Sequence, residues 1–346
     1  MSYYYEYELG KAAKILCEDL FKLKPGETFI ITADTASDHR VVNATARAAF
    51  ACDAMPMVIY IASPLGVAKA ADPMIPESLT AALLKADAWV EFNSQYVFMS
   101  TPYDIAMKEN KKLRMCALAG MNVGMMVRNI GRVDYPNLKK FLEMVTQKTH
   151  FAKHMRITTP AGEDVEFNNE PGISEPDMRL GYSDTPGAYM MAGQIGWRPN
   201  LESTNGTIVF DGSVVPLGIL KEPIRLTIKK GEIVKIEGGK EATEYKRWLK
   251  GFNHPQMFKI AHVCYGFNPG AKLTGDIVED ERVWGSTVWG FGNVRDRYVP
   301  GGISAPSHSD GISLDSSVWL DDIQIMDKGQ IIDPELKKLA EKLGKV

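Results

Sequence analysis

The chain has 346 residues, with 40 Lys and Arg against 43 Asp and Glu, which gives a formal net charge of −3. A hydrophobic share of 45% and a charged share of 24% are typical of a globular protein and exclude an intrinsically disordered chain. The balanced charge argues against a nucleic-acid-binding protein, and the lack of a long uncharged apolar run argues against a membrane-spanning helix. The length predicts two domains.

The four cysteines, Cys17, Cys52, Cys116 and Cys264, are far apart in the sequence and form no CxxC pair. This spacing predicts free thiols in a cytoplasmic protein rather than disulfides or a structural zinc site. The first residues are rich in tyrosine and acidic side chains, unlike the basic and then apolar segment of a signal peptide.

Apolar runs and helical patterns alternate along residues 1–150. Continuous apolar strands separated by helices are typical of a parallel sheet covered on both faces, so we predict an α/β domain with a mainly parallel sheet. No GxGxxG or GxxxxGK[ST] motif occurs, which argues against nucleotide binding through a glycine-rich loop. The predicted elements are helices over 9–23, 38–52, 76–85 and 135–148, and strands over 28–33, 56–61, 88–92 and 113–118.

The pattern changes after residue 150, where short alternating strands are joined by tight turns. We therefore predict that residues 151–346 form an α+β, largely antiparallel β domain. The predicted elements are hairpins around Pro160–Gly162 and Lys230–Gly231, strands over 206–211, 257–265 and 317–325, and a helix over 241–250.

Two histidines and an aspartate of this second domain are candidates for a metal site. His262 lies in the alternating run 257–265, whose apolar face is expected in the core, where an imidazole must be paired or ligated. His308 and Asp310 are two residues apart, so extended backbone turns both to one side. The three form a two-histidine, one-carboxylate set with open positions. The alternatives are a hydrogen-bonded core histidine and a surface loop.

These residues and their surroundings resemble the 2,5-dihydroxypyridine 5,6-dioxygenases, which in turn resemble the aminopeptidase T-type metallopeptidases. The resemblance implies that His262, His308 and Asp310 ligate a metal, which is ferrous iron in the dioxygenases. It also implies a homo-oligomer. The stretches that carry it are Gly181–Gly187, Gly206–Asp211, Ala261–Pro269, Gly301–Gly302 with His308–Asp310, and Val318–Asp322.

The chain also differs from the pattern of both families. The dioxygenases have a glutamate where this chain has Arg179 and a histidine where it has Met191. An acceptor is thus replaced by a cation, and a proton carrier by a thioether. The metallopeptidases use two metals and have a carboxylate where His262 stands. These differences favour a pocket for one metal ion that acts on another small substrate.

The leading prediction is therefore a hydrolase that opens a cyclic diketone by C–C cleavage, like the manganese-dependent cyclohydrolase that opens dihydrophloroglucinol. One Mn²⁺ or Fe²⁺ ion activates water in this hypothesis, and the metal or Arg179 stabilises the departing enolate. Tyr182 and Tyr189 donate hydrogen bonds, and Glu202 is the candidate base. The alternatives are a non-haem Fe(II) dioxygenase that cleaves a hydroxylated ring, and an aminopeptidase-like or non-catalytic metal-binding protein.

Overall fold

The structure is a computed structural model and describes residues 5–169, 177–295 and 298–345. Within these ranges no helix is both long enough and apolar enough to cross a bilayer. The helices are α1 Glu6–Lys14, α2 His39–Ala51, α3 Glu77–Leu83, α4 Thr101–Glu109, α5 Val123–Met126, α6 Tyr135–Phe151, α7 Lys240–Gly251, α8 Ile277–Asp280 and α9 Pro334–Lys342. The strands are β1 Thr28–Asp34, β2 Met55–Ile61, β3 Ala88–Glu91, β4 Arg114–Ala117, β5 His154–Thr158, β6 Asp164–Asn168, β7 Asp177–Arg179, β8 Gly187–Met190, β9 Gln194–Trp197, β10 Asn205–Phe210, β11 Ser213–Val214, β12 Gly218–Ile219, β13 Ile224–Lys229, β14 Glu232–Glu237, β15 Ile260–Gly266, β16 Thr287–Val294, β17 Ile303–Ser313, β18 Ser317–Leu320, β19 Ile323–Asp327 and β20 Gln330–Ile331.

The chain forms two compact units. The first comprises Met1–Val133 with Arg179–Ala192, and the second comprises Asp134–Met178 with Gly193–Val346. Helix α6 therefore belongs to the second unit, and strand β8 returns the chain to the first. The division near residue 150 stays a prediction about which segments fold on their own.

The first unit contains a five-stranded sheet in the order β2–β1–β3–β4–β8, in which every neighbouring pair is parallel. Strands β3 and β4 are buried along their whole length, as is expected of apolar strands in a parallel sheet. Asp38 caps helix α2 by accepting a hydrogen bond from the Arg40 N–H, and Ile30 and Trp89 lie in the core. The predicted α/β architecture is confirmed.

The second unit contains two sheets built mainly from antiparallel pairs. One has the order β14–β13–β10–β6–β5–β18–β19–β20, and the other has the order β12–β11–β17–β16–β15–β9–β7. The predicted hairpins are β5–β6 and β13–β14. The predicted largely antiparallel architecture of this part of the chain is therefore also confirmed.

A buried carboxylate joins the two sheets of the second unit. Glu163 accepts hydrogen bonds from Trp289 Nε1 at 3.0 Å, from Ser313 Oγ at 2.5 Å and from the Val209 N–H at 3.1 Å. Burial raises the pKa of Glu163 to about 7. Trp289 and Ser313 lie on β16 and β17, so this carboxylate helps to fix the strands that carry the candidate site.

Candidate metal centre

Three adjacent strands of the seven-stranded sheet bring the predicted ligands together. His262 lies on β15, whereas His308 and Asp310 lie on β17. Strand β16 runs between them, and its residue Gly290 is paired with His262 on one side and with Asp310 on the other. Paired residues of neighbouring strands project to the same face, so the three side chains converge above Gly290.

The donor atoms of the three side chains form a nearly equilateral triangle. His262 Nε2 is 3.1 Å from His308 Nε2 and 3.2 Å from Asp310 Oδ1, and His308 Nε2 is 3.1 Å from Asp310 Oδ1. Adjacent ligands of an octahedral ion are separated by about 3.1 Å when the metal–ligand bonds are about 2.2 Å long. Within the described residues these are the histidine, cysteine and acidic side chains grouped closely enough to hold a metal ion. The donor set fits one metal ion.

Neighbouring groups orient the two imidazoles. His308 Nδ1 is 2.9 Å from the Asn293 carbonyl oxygen, which can only accept, so Nδ1 carries the proton and Nε2 keeps its lone pair for a metal. His262 Nδ1 lies 3.2 Å from Cys264 Sγ. A Cβ atom on Gly290 would overlap the ring of His262, so only glycine leaves room for this imidazole.

The electrostatics of the site favour an ionised carboxylate. Burial alone would raise the pKa of Asp310, but the charge of His308 and hydrogen bonds from both imidazoles hold that pKa well below its usual value. Burial opposes charging of His308, yet the carboxylate of Asp310 raises the pKa of this imidazole. The side chains of His262 and Asp310 are 10% and 11% exposed, whereas that of His308 is 25% exposed, so the site is most accessible beside His308.

The other predicted site residues each have a defined local environment. Arg179 is the last residue of β7, an edge strand of the sheet that carries the three ligand candidates, whereas Tyr182 and Tyr189 belong to the first unit. Arg179 is buried and donates from Nη1 to Met190 Sδ at 2.6 Å, and Tyr189 Oη is 2.6 Å from Thr185 Oγ1. The catalytic roles of Arg179 and Tyr189 stay predictions.

Glu202 has the environment of a surface carboxylate. Its side chain is 77% exposed and forms an ion pair with Lys230 Nζ at 3.1 Å, and Lys230 is itself mostly exposed. Water and a mobile lysine therefore solvate this carboxylate. We assign Glu202 no part in the function proposed below.

Two residues that orient the site, Gly290 and Asn293, were missed at the level of the sequence. Both lie on β16, which was not predicted. The run Thr287–Val294 alternates apolar residues with small ones, and Gly290 and Gly292 lie on one face of it. This pattern is the signal that could have identified a strand making room for bulky neighbours.

Comparison with known proteins identifies the family. The family model of NicX, 2,5-dihydroxypyridine 5,6-dioxygenase, matches residues 16–333. The chain belongs to the NicX family. A curated NicX-family relative, the 2,5-dihydroxypyridine 5,6-dioxygenase of Pseudomonas putida strain KT2440, is 28% identical over 200 residues. That match covers 53% of this chain and 55% of the relative, so it spans about half the length of that protein.

Two solved structures share the fold. The 2,5-dihydroxypyridine dioxygenase of Pseudomonas putida KT2440 has a TM-score of 0.77 and 21% identity, over 95% of this chain and 98% of that one. Wild-type AmpT from Thermus thermophilus has a TM-score of 0.67 and 14% identity, over 95% of this chain and all of that one. The predicted resemblance to NicX-family and aminopeptidase T-like proteins is confirmed.

The leading functional prediction is wrong. A family match over residues 16–333 to dioxygenases contradicts a hydrolase that acts on C–C bonds in ketones, and it gives no support to manganese. The error has a clear origin: the replacements at Arg179 and Met191 were given more weight than the complete set of His262, His308 and Asp310. Pocket residues vary with the substrate, whereas the ligand set determines the chemistry that the metal can perform.

Proposed function

We propose that the chain is a dioxygenase that uses one ferrous ion to cleave a hydroxylated aromatic or heteroaromatic ring. The observation that carries the proposal is the triangle of His262 Nε2, His308 Nε2 and Asp310 Oδ1 in a chain of the NicX family. Two histidines and one carboxylate on one face of an ion, with the other positions open, are the usual ligands of non-haem Fe(II) oxygenases.

The protein holds, orients and shields this centre. His262, His308 and Asp310 are the ligands, and the ionised Asp310 offsets one of the two charges of the ion. The Asn293 carbonyl keeps the proton of His308 on Nδ1. Ferrous iron held by these residues would supply the redox chemistry that a reaction between an aromatic ring and dioxygen needs. The burial of His262 and Asp310 limits the access of water to the same face.

The named activity of the relative gives the first substrate to test, 2,5-dihydroxypyridine. We expect protein loaded anaerobically with Fe²⁺ to open this ring only when dioxygen is added, with one O₂ consumed per ring. Both atoms of ¹⁸O₂ should appear in the product. Oxygen-independent ring opening would contradict the proposal.

Two comparisons make this experiment specific. His308→Ala should abolish turnover because it removes a ligand, whereas His154→Ala, which changes a partly exposed histidine of the same unit, should not. Protein loaded with Mn²⁺ should remain much less active than protein loaded with Fe²⁺. Equal activity of the two metals would contradict the assignment to iron.

We also infer that the protein forms a homo-oligomer, and that strand β2 is its contact surface. β2 is an edge strand of the sheet in the first unit, and its side chains Met55, Met57, Val58 and Tyr60 are 38–55% exposed. The Met55 N–H donates to the Glu27 carbonyl on the β1 side. Because backbone groups alternate along a strand, those of Val58 and Tyr60 point to the free edge.

A second copy of the same strand fits this edge. Antiparallel pairing about a two-fold axis at Ile59 would place Val58 opposite Tyr60 of the other copy, with both residues exchanging backbone hydrogen bonds. The strand carries no charge that would be repelled by its copy, and Pro56 falls outside the central pairs. Light scattering should show Val58→Lys as a monomer and Ile323→Lys, an exposed control on β19, as an oligomer. A monomeric wild type would contradict the inference.

We propose that the protein is located in a reducing compartment such as the cytoplasm. All four cysteines are free in the structure, and Cys17, Cys116 and Cys264 are buried. Proteins of oxidising compartments more often pair their cysteines. Reaction with a thiol reagent after denaturation should count four thiols in protein purified without a reductant.

A further inference from the structure

A row of four residues crosses the sheet at the metal centre, and its outermost member is an arginine. Val263 is paired with Trp197, the last residue of β9. Continuing this antiparallel register by one residue puts Arg198 beside His262. His262 is paired with Gly290, and Gly290 with Asp310. The row therefore runs Arg198, His262, Gly290, Asp310 across β9, β15, β16 and β17.

A second observation places Arg198 on the same face as the ligands. A Cβ atom on Gly196 would lie 2.6 Å from Cys264 Sγ and 2.7 Å from Tyr298 Oη. Cys264 Sγ in turn contacts His262 Nδ1, so Gly196 lies on the face of the ligands. Arg198 is two residues further along, and alternate residues of extended backbone share a face.

The residue that follows keeps this backbone extended. β9 ends at Trp197, but Pro199 disfavours the helical conformation for Arg198 and so favours an extended backbone at this position. The strand register and the position of Gly196 thus give the same placement by independent routes.

Arg198 is also half-buried, which is unusual for a cation. Burial lowers the pKa of its guanidinium, which nevertheless stays charged at neutral pH. Arg156 of the same unit, whose side chain is 45% exposed, is an arginine of the protein surface and serves as the control. The charge of Arg295 already acts on His308, whose pKa it lowers, and a second charged guanidinium at Arg198 would make this face of the sheet more electropositive.

We propose that Arg198 is an anion-binding residue of the metal centre, where its guanidinium takes an ionised oxygen of the ring substrate. This role rests on the proposed function and extends it to substrate choice. A guanidinium presents a planar pair of donors that suits a carboxylate or an aryl oxide better than a neutral ring. The site should therefore prefer rings that carry a second ionisable oxygen besides the hydroxyl at the metal.

The first test uses azide as a probe anion, so the test does not depend on which substrate the protein has. Azide affinity is measured anaerobically on Fe²⁺-loaded wild type, Arg198→Met, Arg198→Lys and the control Arg156→Met, with metal content and folding checked for each. Loss of a nearby positive charge should weaken azide binding about tenfold in Arg198→Met. Arg198→Lys and Arg156→Met should stay within about threefold of the wild type. Unchanged azide affinity in a fully metal-loaded Arg198→Met protein would overturn the proposal.

The second test asks whether the bound oxygen belongs to the substrate. Anaerobic dissociation constants are measured for 2,5-dihydroxypyridine and for 3-hydroxypyridine, which lacks the second oxygen. Wild type should prefer the first by about 10–100-fold, and this preference should fall close to one in Arg198→Met. A preference that survives intact in Arg198→Met would overturn the proposal even if azide binding weakens.

Together the two tests distinguish a failure of the proposed dioxygenase function from a failure of the anion-binding role of Arg198. If Fe²⁺-loaded wild type neither binds nor oxygenates 2,5-dihydroxypyridine, the proposed function fails on that substrate, and azide binding still decides for or against Arg198. If wild type turns over the ring while both measurements on Arg198→Met match the wild type, the function stands and Arg198 is a structural residue.

Discussion

Two buried carboxylates, one in each unit, have opposite surroundings. In the first unit, Glu91 at the end of β3 is fully buried and accepts hydrogen bonds from the Val97 and Phe98 N–H groups, and burial raises its pKa to about 8. In the second unit, Asp310 on β17 contacts the imidazoles of two histidines, and its pKa lies well below the usual value.

The difference shows that burial alone does not mark a functional carboxylate. The acceptors of Glu91 are occupied by the backbone of the loop that follows its own strand, so this side chain fixes local structure. The oxygen of Asp310 is shared by two ring nitrogens, each on a residue whose other nitrogen is already engaged. Such a cluster has lone pairs directed at one point, where a cation can replace a proton.

Removing a ligand should produce the largest difference between the two units. Asp310→Asn keeps the shape of the side chain but removes its charge, and we expect metal content to fall to background. Turnover should fall by more than the roughly 100-fold that changes around a metal's ligands usually cost. Metal analysis and oxygen consumption measure both quantities.

The matched change in the first unit is Glu91→Gln, which should leave the metal content unchanged. Full metal occupancy in Asp310→Asn would contradict the assignment of this carboxylate as a ligand. Loss of metal in Glu91→Gln would contradict the separation of the two roles.

The second prediction concerns the pH dependence of stability, for which Glu91 is the sensitive group. Its folded-state pKa of about 8 lies above the ordinary value of 4.5, so the folded state retains the proton longer than the unfolded chain. The resulting stabilisation is complete below about pH 4.5 and is lost as the pH rises through 8. Glu91→Gln is permanently neutral and should be more stable than the wild type at pH 9, by up to about 5 kcal/mol.

Urea unfolding at pH 5, 7 and 9 measures this difference. The difference in free energy of unfolding between Glu91→Gln and the wild type does not contain the contribution of Glu163, because both proteins carry that residue. A free-energy difference between Glu91→Gln and wild type that does not change with pH would show that Glu91 is ionised in the folded protein.

The fold was predictable because hydrophobic patterns are local. The apolar runs of β1, β3 and β4 indicated buried parallel strands, and the turns at Pro160–Gly162 and Lys230–Gly231 indicated hairpins. Strand β8 was missed, because only a partner distant in the sequence, β4, makes residues 187–190 a strand of the first sheet. Strand β16 was missed because its glycines weaken the β pattern.

The ligand set was predictable for a different reason from the rest of the site. The spacing of His308 and Asp310 and the alternation around His262 together indicated the cluster that the structure brings together. The position of Arg198 required the register of β9 against β15, which no spacing along the chain contains. The exposure of Glu202 could not be predicted either, since Glu202 lies in the short 3₁₀ helix Leu201–Ser203 and the sequence does not show which side of that turn faces water.

A smaller change tests how closely the imidazole of His262 is fitted. Gly290 does not have the left-handed φ that only glycine favours, so its backbone tolerates alanine, but the new methyl group would overlap the His262 ring. We expect Gly290→Ala to fold and to bind metal about 10–100-fold more weakly, because the ring must move away from the other two ligands. Competition with a chelator measures the affinity. Wild-type affinity in this variant would show that the ring has a second position compatible with the metal.

The smallest effect is expected from a glycine-to-alanine change in the first unit, at Gly10. This change should stabilise the protein, whereas Gly290→Ala should weaken metal binding. Gly10 lies in the middle of α1, is exposed, and has no atom within 4 Å of the place where a Cβ would stand. Gly10→Ala should therefore raise the free energy of unfolding of the first unit by about 0.5–1 kcal/mol, because alanine loses less backbone entropy in a helix than glycine. Metal affinity should not change.

Urea unfolding monitored at Trp89, the buried tryptophan of that unit, measures the gain. A decrease would show that residue 10 contacts something outside the single chain, such as a second copy beside α1. Glycine-to-alanine changes thus distinguish Gly290, where the absence of a Cβ leaves room for a metal ligand, from Gly10, where the absence of a Cβ only lowers helix stability.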